Sequence, residues 1–166
     1  MSILVAVTGT PGAGKSTLAK ALADLGFTHI DMHDLIKHYR KIVVKYDRKS
    51  KSYVINVKIL TQVVKTIITK HEGLYVFDTH IAHLLPKELV DLVVVMRCSS
   101  LKKLTERLSQ RNYHAKKIRE NLDCEIFDEC FDSTVDRGHM AIMTFDSGKR
   151  DSTKKQAQLV FDQLFE

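Results

Sequence analysis

The chain has 166 residues, with 26 Lys and Arg against 20 Asp and Glu, a formal charge of +6 and a pI near 9.2. At 44% hydrophobic content it can bury one substantial core but is cramped for two, so one domain over residues 1–166 is expected. No segment nears the roughly 18 apolar residues of a membrane span, no basic run precedes a long apolar stretch, and Cys98, Cys124 and Cys130 form no C-x-x-C pair. These features argue against a membrane protein, a secretory leader, a disulfide framework and a zinc site, and they predict a soluble, cytoplasmic protein with reduced thiols.

The first element is an apolar, β-branched run, Ile3-Leu4-Val5-Ala6-Val7, of strand length. Gly-Thr-Pro-Gly-Ala-Gly-Lys-Ser-Thr follows over residues 9–17, and Leu18, Ala21, Leu22 and Leu25 then recur at helical spacing. Strand, glycine-rich turn and helix are the setting required by the phosphate-loop pattern G-x-x-x-x-G-K-[ST]. Gly9, Gly12 and Gly14 let successive N–H groups converge at a helix N-terminus, where the dipole also favours anions. Gly12, Gly14, Lys15, Ser16 and Thr17 are thus candidate ATP-binding residues. Lys15 would reach the β- and γ-phosphates, Ser16 would be a ligand to Mg²⁺, and Thr17 would hold the α-phosphate. Three of the seven glycines and one of the two prolines fall in this stretch, which weighs against an idle turn.

Thr28–Met32 reads as a second strand, and Asp34 opens a helix with Leu35 and Ile36 apolar. Between residues 37 and 51 lie Lys37, Arg40, Lys41, Lys45, Arg48, Lys49 and Lys51 against a single Asp47, with Tyr39, Tyr46 and Tyr53 spaced through and just beyond. The run reads either as an anion-binding flap with tyrosines available to stack on bases or as a solvated basic face. Lys45, Arg48, Lys49 and Lys51 are expected at an exposed tip. Residues 57–71 carry apolar side chains at 57, 59, 60, 63, 64, 67 and 68, a helical stripe facing a sheet. Leu74-Tyr75-Val76-Phe77 makes the next strand and delivers Asp78-Thr79-His80 at its C-terminal end, where ligands sit in parallel sheets. Asp78 is placed to hold the Mg²⁺ shell through water or to position a water, and His80 to orient that water. His80 also has a purely structural reading.

Leu92–Met96 is a fourth buried strand, after which Ser99 or Ser100 caps a helix with Leu101, Leu104 and Leu108 inward. Arg107 and Arg111 project from one side of it, before a break at Asn112-Tyr113-His114. Lys116, Lys117 and Arg119 begin another helix, running through Phe127. Two helices joined by a basic corner make either a lid that brings arginines onto a phosphoryl group or a solvated hairpin. A last strand, Met140–Phe145, a turn at residues 146–149 and an amphipathic helix carrying Ala157, Leu159, Val160, Phe161, Leu164 and Phe165 complete the chain. Alternating strands and helices predict an α/β, three-layer P-loop NTPase with a parallel sheet.

The phosphate loop, the Asp78-Thr79-His80 step, the Arg111-Asn112-Tyr113 corner and the run from Lys116-Lys117-Ile118 to Cys124-Glu125-Ile126 together resemble the adenylate kinase isoenzyme 6 family, in its archaeal form. The resemblance implies an adenylate-kinase-like flap at residues 30–53 and a lid at 110–120. It also implies phosphotransfer from MgATP to AMP, and an ATPase activity linked to maturation of the small ribosomal subunit, with a small-subunit ribosomal protein and rRNA as partners. The alternative within it is an ATP-switched assembly factor with little kinase role. By position, Arg111 matches the ATP-contacting lid arginine, Lys149 a base-contacting loop residue, and Asp34 a residue on the monophosphate side. Lys15, Asp78, His80 and Arg111 form the implied catalytic set. Asn112 stands where glycine is common, Arg150-Asp151-Ser152 replaces Pro-Glu-Glu, and the flap is basic where several relatives are acidic.

Overall fold

The computed structural model describes all residues, Met1–Glu166. Five strands, β1 (Ile3–Gly9), β2 (Thr28–Asp31), β5 (Leu74–Asp78), β6 (Leu92–Arg97) and β7 (Ile142–Asp146), form one parallel sheet in the order β2-β5-β1-β6-β7. The period-2 alternation of β1 divides the core. Leu4 and Ala6 pack on one face with Leu60, Val64 and Ile68 of α3 (Val57–Lys70), while Val5 and Val7 pack on the other with Leu18 and Leu22 of α1 (Lys15–Asp24) and Ala157 and Val160 of α7 (Thr153–Phe165). Helices thus cover both faces of a sheet whose central strands are nearly continuous apolar runs, giving the three-layer α/β architecture expected.

Several local expectations shift. Asp31 ends β2 and caps α2 (Met32–His38) by accepting from the Asp34 N–H, so that helix starts two residues before Asp34 and Met32 leaves the strand. The basic stretch is more regular than its sequence suggests. After a 3₁₀ turn at Arg40–Ile42, β3 (Val43–Asp47) and β4 (Ser52–Ile55) form an antiparallel hairpin separate from the main sheet. Its cross-strand partners Tyr46 and Tyr53 pack edge to face with ring centroids 5.2 Å apart. Lys45, Arg48, Lys49 and Lys51 are all exposed, Lys45 from within β3 and the others at the tip.

Ser100 caps α4 (Leu101–Gln110) and His114 caps α5 (Ala115–Ile126). A further helix, α6 (Glu129–Asp136), follows from Asp128 in the left-handed region at φ 58°. Its eight residues carry no long apolar stripe, and it escaped the periodicity argument. Cys98 is buried, Cys124 and Cys130 are half-buried, and all three are free thiols. No helix is long and apolar enough to cross a membrane.

Candidate active site

The turn between β1 and α1 stands at the C-terminal edge of the sheet. Gly9 sits at φ 143°, and a Cβ there would lie 2.3 Å from the Met96 carbonyl oxygen, so only glycine lets β1 end this close to β6. Gly14 caps α1 at φ 97° and has no side chain to occupy the first-turn N–H groups. Lys15 folds over the loop, its ammonium donating to the Gly9 and Thr10 carbonyls at 2.8 and 3.0 Å. Burial pushes its pKa down to about 8, and the Arg111 guanidinium adds to the depression. A lysine held where its charge is disfavoured is prepared to gain from an anion.

Ser16 donates to Asp78 Oδ2 at 2.8 Å, joining the loop to the end of β5, while Asp78 Oδ1 pairs with His29 Nε2 from β2. His29 had no signal in the linear pattern, because its approach to Asp78 depends on the register of β2 against β5. A hydroxyl beside a carboxylate fits Mg²⁺, which keeps most of its waters and takes few protein ligands. No cluster of three or more His, Cys, Asp or Glu side chains forms here or elsewhere in the chain. His80, two residues on, keeps an exposed edge, yet desolvation by the cleft wall and the charges of Lys15 and Lys117 hold its imidazole below its ordinary pKa and thus neutral. Behind it Thr8 Oγ1 donates to the His80 carbonyl at 3.2 Å and lies 2.7 Å from His83 Nδ1, and His139 Nε2 reaches the His83 carbonyl at 3.0 Å. His83 is a buried brace for the loop.

One cleft of about 490 Å³ is lined by Gly12, Gly14, Lys15, Ser16 and Thr17 together with Arg107, Arg111, Ser147 and Lys149. The expected ATP-side residues thus converge. Arg107 has a different part from Arg111: it donates to the Gly12 carbonyl at 3.0 Å and to Ser147 Oγ and O at 2.8 and 3.2 Å, bracing the loop against the turn after β7. Glu125 of α5 was passed over as an individual residue, yet its carboxylate accepts from Thr10 Oγ1 and from the Cys98 N–H, each at 2.7 Å. That bond spans 115 residues in sequence, beyond any periodicity signal.

A second cavity, also about 490 Å³, lies between α2 and the hairpin and is lined by His33, Ile36, Lys37, Arg40, Val43 and Tyr53. The α2 side of this cavity follows directly on Asp31, the register partner of Asp78. Asp34 is exposed and lies outside this lining, with its N–H bonded to Asp31 and its carbonyl to His38.

A family model described as an AAA domain matches residues 5–128. The "Putative adenylate kinase" of Methanocaldococcus jannaschii is 32% identical over 163 residues, covering 98% of this chain and 84% of that protein. The "Adenylate kinase isoenzyme 6 homolog" of Caenorhabditis elegans is 36% identical over 124 residues, 74% of this chain and 67% of the relative. Among solved structures, shikimate kinase from Acinetobacter baumannii in complex with shikimate superposes over 99% of this chain and 94% of that one with a TM-score of 0.65 at 16% identity, a likeness of fold.

Proposed function

The chain belongs to the adenylate kinase isoenzyme 6 family, and from that premise we propose that it transfers the γ-phosphoryl group of MgATP to a nucleoside monophosphate, with AMP preferred, and hydrolyses ATP when no acceptor is bound. The observation that carries this reading is the cleft in which Lys15, Ser16, Thr17 and Arg111 converge, with Ser16 bonded to Asp78. The Asp78 backbone pairs with Asp31, from which α2 leads to the His33, Lys37, Arg40 and Tyr53 cavity.

In this mechanism the N–H groups around Gly12 and Gly14 and the Lys15 ammonium take up the charge of the β- and γ-phosphates, and Thr17 holds the α-phosphate. Lys149 lines the same cleft and would contact the base. Ser16 and Asp78 would hold Mg²⁺, Asp78 through water; the ion supplies charge neutralisation between the phosphates. Arg111 projects into the cleft from the end of α4 and stabilises the charge that spreads over the transferring group. His80, kept neutral, orients a water in the hydrolytic branch. Lys37 and Arg40 offer the acceptor phosphate two cations, and Tyr53 a ring for the base. Asp34, expected on this side, contributes to the first turn of α2. Residues 30–53 then serve as the monophosphate flap, and residues 110–120 as the lid, within one domain over residues 1–166. Three free thiols accord with a reducing cytoplasm. The test is a panel of nucleoside monophosphates with MgATP beside a control without acceptor. AMP should give the largest acceleration, and no acceleration by any monophosphate sinks the kinase reading.

The hairpin favours a second reading, an assembly factor that uses ATP to switch its hold on a small-subunit ribosomal protein and rRNA. Binding a monophosphate needs one or two cations, whereas Lys45, Arg48, Lys49 and Lys51 all stand exposed around the tyrosine pair. Reversing these four to Glu should weaken binding of a single-stranded oligouridylate and flatten its salt dependence. Unchanged affinity and slope remove the hairpin from RNA binding.

A further inference from the structure

One hydrogen bond joins α5 to the hairpin: Lys117 Nζ donates to the Ser50 carbonyl at 2.8 Å. Both ends of this bond are built. At the hairpin tip Asp47 Oδ1 accepts from the Lys49 N–H and Oδ2 from Ser50 Oγ, each at 2.9 Å, and Ser50 Oγ lies 2.6 Å from Ser52 Oγ. The turn then closes through Lys51 at φ 49°. Asp47, the one acidic residue among the tip cations, is therefore spent on shaping the turn that presents the Ser50 carbonyl.

At the other end the Lys117 N–H donates to His114 Nδ1 at 3.2 Å, which fixes the start of α5, and the ammonium lies 4.1 Å from the centre of the Tyr113 ring. The Lys117 side chain is half-buried. Segments 67 residues apart in sequence are held together by this bond.

We propose that Lys117 is a positioning residue that ties the lid to the hairpin, so that an enclosed γ-phosphoryl group passes to the monophosphate and not to water. The inference rests on the phosphotransfer reading. In either branch the bond between the γ-phosphorus and the β,γ-bridging oxygen breaks, and ADP departs with the electron pair. The new phosphorus–oxygen bond is made by a phosphate oxygen of the monophosphate, giving a nucleoside diphosphate. In the other branch water makes it and releases a proton to solvent, giving inorganic phosphate. Lys117 takes no part in either electron movement; it governs which nucleophile is admitted.

The experiment follows γ-labelled ATP with AMP and measures label in ADP against label in inorganic phosphate for the full chain and three variants. Lys117→Met keeps the aliphatic stem and removes the ammonium, Lys117→Arg keeps a donor, and Asp47→Ala loosens the tip without touching the lid. Lys117→Met should shift the partition toward phosphate about tenfold or more while the KM for MgATP stays within a fewfold. Lys117→Arg should recover most of the wild-type partition, and Asp47→Ala should move it in the same direction as Lys117→Met but less. If wild type labels both products and Lys117→Met and Asp47→Ala keep its partition, this inference alone is overturned. A wild type that labels neither product overturns the phosphotransfer reading and this inference with it.

Discussion

Lys15→Met separates what the phosphate-loop lysine costs the fold from what it gives the reaction. The fall of its pKa from 10.5 to about 8 corresponds, at about 1.4 kcal/mol per pH unit, to an upper bound of about 3 kcal/mol against the charged form. Because the side chain is only half-buried, solvent screening reduces this to about 1–2 kcal/mol. Between pH 8 and 10.5 the unfolded chain binds more protons at this residue than the folded one, so wild-type stability rises with pH across that window. The penalty is full below pH 8 and gone above 10.5. Denaturant unfolding of both proteins without nucleotide should therefore show the Met variant more stable by about 1–2 kcal/mol at pH 7, with the gap narrowing at pH 9.5. Saturating MgATP should reverse the order, since only wild type gains the full binding increment. A variant less stable at pH 7, or a gap that ignores pH, refutes the burial argument. Wild-type turnover in the variant refutes the catalytic one.

Asp78→Asn combined with His80→Ala should leave MgATP affinity within roughly tenfold and cut hydrolysis about a hundredfold, the scale of lost water positioning; unchanged hydrolysis demotes both residues to structure. Arg111→Ala should lower phosphotransfer by about 10³-fold, and Arg111→Lys should recover little of it because the forked donor geometry is lost. Wild-type kcat in either variant makes the α4–α5 corner a hinge only. Glu125→Ala frees the Thr10 hydroxyl and the Cys98 N–H and should cost about 2 kcal/mol in denaturant unfolding. A loss under roughly 0.5 kcal/mol means that solvent replaces the carboxylate without cost.

The parts of the site legible in the linear chain are those whose chemistry is local. Gly9–Thr17 carries its turn, its N–H groups and its lysine within nine residues, and Asp78 is placed by a strand that ends one residue after Phe77. The stripe of α3 was legible for the same reason, because one helix face repeats every 3.6 residues. The hairpin was not, since β3 and β4 pair only with each other and keep Val44, Tyr46, Tyr53 and Val54 exposed, so neither strand shows a buried-and-polar alternation. His29, Glu125 and Lys117 became visible only when register and helix packing brought them to partners 49, 115 and 67 residues away. Arg107 and Arg111 share one helix side in the linear pattern and both border the cleft, and only the position of the turn at Ser147 shows that the first is also a brace.

The carboxylate of Glu125 sits one residue from the C-terminal end of α5, and Lys117 sits near its start. The twelve-residue helix is therefore a lever about 18 Å long, pivoted at the end that grips the phosphate loop. Tilting it by about 10° about that pivot would carry Lys117, about 12 Å away, roughly 2 Å, enough to part the ammonium from its carbonyl while leaving the fulcrum unmoved. If residues 110–120 act as the proposed lid, opening and closing would need no rearrangement of the Gly9–Thr17 loop, and a nucleotide seated there would stay seated while the far end swings to admit or release a second molecule.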